Sequence, residues 1–177
     1  IKKINNLEFS VKIKKANEED LLNCLNIFKE GLNSGISSFQ EPSITIDEFH
    51  KKLDLEKCLV LEIKKQIKGY SFFTKVSNRC VYKGVGEVSI YLSKEVTGKG
   101  YGQKLLNALI HLSEELGYWS LHAMIFSHNT RSIKLHEKCN FKVLGLREKI
   151  GKMTYGPYVN QWIDNTYMER RSPKFQD

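Results

Sequence analysis

Apolar and polar positions change their spacing several times along the chain, and each change marks an element. Phe9, Val11 and Ile13 alternate with Ser10, Lys12 and Lys14, which predicts a half-buried strand from Phe9 to Lys14. Asn17 has the side chain of a helix cap, and Glu18, Glu19 and Asp20 suit the positive end of a helix dipole. Leu21, Leu22, Leu25 and Phe28 supply that helix's apolar stripe, and Gly31 to Gly35 end it in a polar loop with Ser37 and Ser38. Thr45 or Asp47 begins a short second helix through Phe49 and Leu53. Cys58 to Ile63 and Ile67 to Val76 read as a hairpin turning at Lys64-Lys65-Gln66, and Val85 to Leu92 is a further apolar strand. The period then changes. Leu105, Leu109, Leu112 and Leu116 lie on one face of a helix that stops at Gly117. A strand over Leu121 to Phe126, a helix starting at Asn129, and strands over Phe141 to Leu146 and Ile163 to Met168 close the pattern. Hairpins come first and strand–helix alternation later. That order predicts a mixed sheet flanked by helices, an α+β fold in a single domain over residues 1–177, with no internal repeat.

Composition narrows the classes. The 177 residues include 28 Lys plus Arg against 20 Asp plus Glu, a net charge of +8. Three prolines and the absence of low-complexity runs argue against a disordered or collagen-like module. No apolar run is long enough for a membrane-spanning helix, and the basic start lacks the apolar core of a signal peptide. A cytoplasmic location is therefore expected. Cys24, Cys58, Cys80 and Cys139 form no C-x-x-C pair, so reduced thiols and no metal site are expected. The positive residues are scattered rather than gathered in a stripe with aromatics. This points away from nucleic acid and leaves an anionic small molecule open.

One segment suits such a molecule. After the strand ending at Leu92, Thr97-Gly98-Lys99-Gly100-Tyr101-Gly102-Gln103 places glycine at every second position and opens an amphipathic helix. The first amides of a helix lack internal partners, the dipole there favours negative charge, and glycine lets a diphosphate approach the backbone. Lys99 and Lys104 add positive charge. The spacing is neither the nucleoside-triphosphate loop nor the dinucleotide fingerprint. A pyrophosphate cradle and a plain glycine turn are the two readings of this segment alone.

Asn129-Thr130-Arg131-Ser132-Ile133-Lys134-Leu135-His136-Glu137-Lys138-Cys139-Asn140-Phe141 follows downstream. Together the two segments resemble the GCN5-related N-acetyltransferase (GNAT) superfamily. There the glycine turn is the coenzyme A pyrophosphate loop and the later helix flanks the acetyl thioester. Glu87-Val88-Ser89-Ile90-Tyr91-Leu92, Ser38-Phe39-Gln40-Glu41-Pro42, Leu135-His136-Glu137 and Trp162-Ile163-Asp164 are similar to marks of the phosphinothricin-acetyltransferase-like branch, over about residues 8–171. The resemblance implies the GNAT fold and acetyl-CoA as donor. It also implies direct transfer to the α-amine of a small amino acid or analogue, and a homodimer. Its cofactor contacts would be Ile90, Tyr91, Leu92, the turn from Thr97 to Gln103 (Gly98, Lys99, Gly100, Tyr101 and Gly102 between them), Asn129 and Ser132. Four departures stand out. Thr97 replaces a Gln or Arg, Asn140 replaces a Gly, Ser77 stands where an Arg is usual, and the hairpin Gly151 to Gln161 is longer.

Transfer to an amine requires a base, because an α-amine with a pKa of about 8 is mostly protonated at neutral pH. Glu87 opens the strand that would face the donor and is the candidate base; the competing reading is a strand-end carboxylate in solvent. His136 stands where a thiolate-protonating group is usual and could act so, or orient a water; it could also be a packed helix-face histidine. A backbone amide near Ile90 to Leu92 is the simplest oxyanion donor. Asn129 and Ser132 fit either pantetheine contacts or a helix cap and first turn. Arg79 with Tyr82 fits an acceptor carboxylate or a solvated loop, and Phe39 fits the acceptor wall or the core. A polyamine, an aminoglycoside or a protein N-terminus as acceptor, and an acyl-CoA-binding module without catalysis, are the competing functions.

Overall fold

The first strand, β1, spans Val11–Lys15 in a computed structural model that describes residues 10–175. Phe9, placed in that strand by the alternation, lies outside the described residues. Asn17 caps as expected. Its Oδ1 accepts from the amides of Glu19 and Asp20, and Asp20 Oδ2 accepts from the Asn17 amide at 3.1 Å. The capped turn runs into α1 (Leu21–Asn33). The same reciprocal bond between Thr45 and Glu48 opens α2 (Ile46–His50). β2 (Cys58–Ile63) and β3 (Gln66–Lys75) form the hairpin. Its turn holds Lys64 and Lys65 at φ 51° and 63°, the left-handed pair that a tight hairpin requires, here without glycine or asparagine.

β4 (Val85–Leu92), α3 (Tyr101–Glu115), β5 (Ser120–Phe126) and α4 (Thr130–Lys138) follow. Gly117 at φ 82° lies just past α3, and Asn140 at φ 66° just past α4, where asparagine substitutes for the left-handed glycine. β6 (Lys142–Lys152) and β7 (Trp162–Arg171) complete the strands of the described residues. β6 runs past the predicted Leu146 because β7 supplies the partners: Gly151 pairs with Ile163 and Lys152 with Trp162.

The seven strands form one sheet in the order β1-β2-β3-β4-β5-β7-β6. Every neighbouring pair is antiparallel except β4 and β5. Those two pair over only three rungs, Val85 with Ser120, Gly86 with Leu121 and Glu87 with His122, and then part. On one face, α3 buries Leu105, Leu106, Leu109 and Ile110 against Leu61, Phe73, Val88, Leu121 and Met168. Each such side chain contributes about 1.5–3 kcal/mol of transfer free energy. On the other face, Cys24, Leu25, Phe28 and Leu32 of α1 pack with Phe49, Val60 and Tyr70. This second layer sits on β2 to β4. Beyond it, His122, Met124, Tyr167 and Glu169 of β5 and β7 remain only half-buried.

Candidate active site

Where β4 and β5 part, the β4 edge from Val88 onward has no ladder partner on the β5 side. The wedge holds a cavity of about 70 Å³ lined by Ser89, Ile90 and Tyr91 of β4, Met124 and Phe126 of β5, and Ser132 and His136 of α4. It shares Ile90, Tyr91, Asn129 and Ser132 with a second cavity of about 200 Å³. That one shares Leu92, Thr97, Arg131 and Leu135 with a third of about 300 Å³ at the glycine turn. Together they form a track from the wedge to the start of α3.

The glycine turn has the shape its residues suggest. Gly98 and Gly100 take φ values of 81° and 82°, and a Cβ at either would meet nothing within 4 Å. Backbone conformation, not crowding, therefore demands glycine, and the surface above is open. Gly102 differs: a Cβ there would stand 3.1 Å from Leu92 and 3.2 Å from Leu135 side-chain atoms. Gly100 occupies the cap position of α3 with no side chain to satisfy the first amides, which leaves them for an anion. A coenzyme A diphosphate fits this cradle.

The positive charge around it comes from an unexpected source. Arg131, Lys134 and Lys138, spaced along one face of α4, line the turn's cavity. Lys99 and Tyr101 instead line a separate cavity of about 380 Å³ with Lys64, Lys68 and Glu95, and neither lines the cavity at the turn. Lys104 Nζ sits 5.9 Å from the centre of the Tyr101 ring. The Thr97 hydroxyl donates to the Ser93 carbonyl at 3.0 Å while its residue lines the track.

α4 also brings Asn129 and His136 to the wedge. Asn129 caps α4 and also lines the cavity: its Oδ1 accepts from the Ser132 amide at 3.2 Å, and its Nδ2 donates to the Ile36 carbonyl at 3.2 Å. His136 is buried, with Nδ1 2.8 Å from the Ser132 carbonyl and its ring edge-on to Phe141. A carbonyl only accepts, so Nδ1 carries the proton and Nε2 keeps its lone pair. Burial pushes the His136 pKa below the ordinary histidine value and outweighs the opposing Ser132 bond.

Glu87 stands on the last β4–β5 rung, on the same sheet face as Ser89 and Tyr91. Its side chain is solvent-accessible, yet crowding by protein around the carboxyl raises its pKa above the ordinary value, against the lowering influence of His122 and Arg147. His122 Nδ1 is 2.8 Å from the Tyr167 hydroxyl, and His122 Nε2 is 3.4 Å from Glu169 Oε1. Ser120 Oγ donates to that same Glu169 oxygen at 2.7 Å. The arrangement offers an anion cradle, a track to a wedge, and a carboxylate with a raised pKa where the track meets an open sheet face.

The sequence pattern of the Acetyltransferase (GNAT) family matches residues 23–141. The chain belongs to this family. As a GNAT N-acetyltransferase it takes acetyl-CoA as donor. It is 28% identical over 166 residues to phosphinothricin N-acetyltransferase of Alcaligenes faecalis, covering 89% of this chain and 81% of that protein. It is 33% identical over 88 residues to the L-methionine sulfoximine/L-methionine sulfone acetyltransferase of Pseudomonas aeruginosa, a match that spans 50% of this chain and 48% of that protein. Among solved structures, a GNAT superfamily phosphinothricin acetyltransferase from Sinorhizobium meliloti in complex with acetyl-CoA superposes with a TM-score of 0.82 at 27% identity. That match covers 91% of this chain and 88% of that one.

The remaining candidates of this GNAT site lie farther out. Arg79 is exposed beyond β3, with its guanidinium 6.0 Å from the Tyr82 ring. Tyr82 lines a cleft of about 500 Å³ with Trp119, His122 and Glu169. Phe39 packs on Phe126 at 4.6 Å between ring centres, one side chain removed from the wedge. The long hairpin explains its neighbours: Tyr155 donates to the Ser38 carbonyl at 2.7 Å, and Met153 and Tyr158 pack beside Phe39 and Phe126. Cys139 is buried and its thiol pKa is pushed up to about 11, mainly by desolvation, which leaves no thiolate nucleophile there. Among the described residues, no cluster of three or more His, Cys, Asp or Glu suits a metal, and no helix is long and apolar enough to cross a membrane.

Proposed function

We propose that this GNAT enzyme acetylates the α-amino group of a small amino acid or analogue, phosphinothricin- or methionine sulfone-like, by direct transfer with Glu87 as general base. The observation that carries the reading is the position of Glu87 on the last rung before the wedge, on the open face. An acceptor on that face meets the carboxylate before it meets the donor track. The names of the relatives support the acceptor class.

Acetyl-CoA supplies the acetyl thioester. The chain does the rest. Its α3 amides with Arg131, Lys134 and Lys138 hold the phosphates, and the unpaired β4 edge receives the arm. Glu87 takes a proton from the ammonium, the freed nitrogen lone pair attacks the carbonyl carbon, and the carbon–sulfur bond then breaks; the nitrogen's second proton passes through water to the departing thiolate, so that coenzyme A leaves as the thiol. A β4 amide near Ile90 to Leu92 stabilises the oxyanion. His136, neutral and with Nε2 as acceptor, suits orienting a water or the amine better than protonating the leaving thiolate. Thiol release with acetyl-CoA and a panel of amines tests the reading. Turnover highest on amino acids is expected; preference for a polyamine, an aminoglycoside or a peptide N-terminus, or no release at all, overturns it.

A homodimer through β6 is part of the same proposal. This edge strand exposes Val143, Leu144, Leu146 and Ile150, each about half accessible. Sedimentation equilibrium should give twice the chain mass, and Leu146→Lys should shift it to the monomer.

A further inference from the structure

An amino-acid acceptor brings a carboxylate as well as an amine. Arg79, the sequence candidate for that carboxylate, is exposed on its loop over Tyr82. Another arginine faces the same open end of the sheet from β6, with β5 and β7 between it and β4. Arg147 of β6 pairs with Asn165 of β7, and its guanidinium carbon lies 5.3 Å from the centre of the Tyr167 ring. The Tyr167 hydroxyl meets His122, and His122 faces Glu87. Four side chains from four strands therefore curve around one end of the open face. The charge of Arg147 is near enough to lower the Glu87 pKa.

Among the described residues no carboxylate lies within 4 Å of Arg147, whereas Arg170 is bound to Glu114 at 2.9 Å. A cation–π contact uses none of the five guanidinium N–H donors. A carboxylate takes two of them in parallel. An α-amino acid carries its amine and carboxylate on one carbon, so one base and one nearby free arginine bracket the same small ligand.

We propose that Arg147 holds the α-carboxylate of the acceptor while Glu87 faces its amine, so that the enzyme selects amino acids with a free carboxylate. This rests on the amino-acid reading of the site. The test compares wild type, Arg147→Ala, Arg147→Lys and Arg79→Ala on the best amino acid of the panel and on its carboxamide. A lost charge-assisted pair corresponds to about a 10- to 100-fold change. Read at alkaline pH, where Glu87 stays ionised in both proteins, Arg147→Ala should raise KM for the acid by that factor, with kcat within about threefold, and leave the carboxamide unaffected. Arg147→Lys should fall between. Wild type should prefer acid over carboxamide, and Arg147→Ala should lose the preference. Unchanged coenzyme A affinity reports an intact fold. Acid-specific loss in Arg79→Ala instead, or equal loss on acid and carboxamide in Arg147→Ala, overturns Arg147 while leaving the amino-acid reading intact. A wild type that acetylates no amino acid overturns both.

Discussion

Glu87 of β4 and His122 of β5 face each other on the last rung that joins the two strands, so the candidate base sits where the sheet opens. Because crowding raises the Glu87 pKa, the base loses activity by protonation at a higher pH than an ordinary carboxylate would. kcat/KM should therefore fall on the acid side through a limb above the usual carboxylate range. His122 is one of two groups that lower this pKa; His122, Arg147 and Tyr167 face Glu87 from other strands and Tyr91 from its own. Removing a lowering influence raises the pKa, so His122→Phe should move the limb to higher pH, with the rate recovered at alkaline pH. Glu87→Gln should cost on the order of 10²- to 10⁴-fold and abolish the limb. A limb in the same place in His122→Phe, or near-wild-type turnover in Glu87→Gln, refutes the assignment.

The source of the phosphate charge makes a second test. Arg131→Ala and Lys134→Ala should each weaken coenzyme A binding about threefold to tenfold, with larger effects at low salt. Lys99→Ala should stay within about twofold, since its side chain lines another cavity. Calorimetric titration with coenzyme A reads both, and the opposite ranking would move the cradle to the far side of the turn.

The wedge explains which of these features the sequence exposed. Local signals decided the elements: the Asn17 and Thr45 caps, the leucine period of α3, and the Gly117 and Asn140 ends. Glycine spacing marked the turn because φ near 80° at Gly98 and Gly100 is a local demand. Other features depend on pairing across strands. β6 is exposed along its length and has no apolar period, so its extension reads only from β7. Arg147 is an unremarkable residue until β6, β7 and β5 line up Tyr167, His122 and Glu87. Lys99, nearest the glycines in sequence, lines another cavity, whereas Arg131, Lys134 and Lys138 line the one at the turn from another helix. Their spacing of three and four was visible, but its direction was not.

The thiols offer a third test, of mechanism. A covalent acetyl-cysteine route requires an accessible thiolate. Cys139 is 1% exposed with its pKa near 11, and burial raises the Cys58 thiol to about 12. Cys80 is the exposed one. Iodoacetamide should label Cys80 alone in the folded protein, and Cys139→Ser should retain turnover within about threefold. Initial rates should give intersecting rather than parallel lines in double-reciprocal plots. Parallel lines together with an inactive Cys139→Ser would establish the covalent route.

A final test concerns the support behind the site. Glu114, at the end of α3, is 7% exposed and ties that helix to the tail of β7. Its Oε1 lies 2.9 Å from both Arg170 Nη1 and Ser172 Oγ, and its Oε2 lies 3.1 Å from Lys174 Nζ. Burial alone would raise its pKa, but the bonds from Lys174, Ser172 and Arg170 outweigh it and hold the carboxyl below the ordinary value. A depressed carboxyl pKa contributes stability that is fully present above the unfolded-state value, about 4.3, and is lost as pH falls through the folded value. Glu114→Gln leaves a largely covered guanidinium without its anion, a change that costs about 3 kcal/mol. At 2–4 °C per kcal/mol for a chain of this size, Tm should fall by about 6–12 °C at pH 7. The gap between wild type and variant should begin to narrow once pH falls below the unfolded-state value, and go on narrowing toward the lowered folded value, where wild-type Glu114 gains the proton that makes it resemble the amide. Thermal melts at pH 7 and pH 3.5 measure both differences. An equal gap at the two pH values would show that the carboxylate's charge contributes nothing and that Glu114 acts through its shape alone.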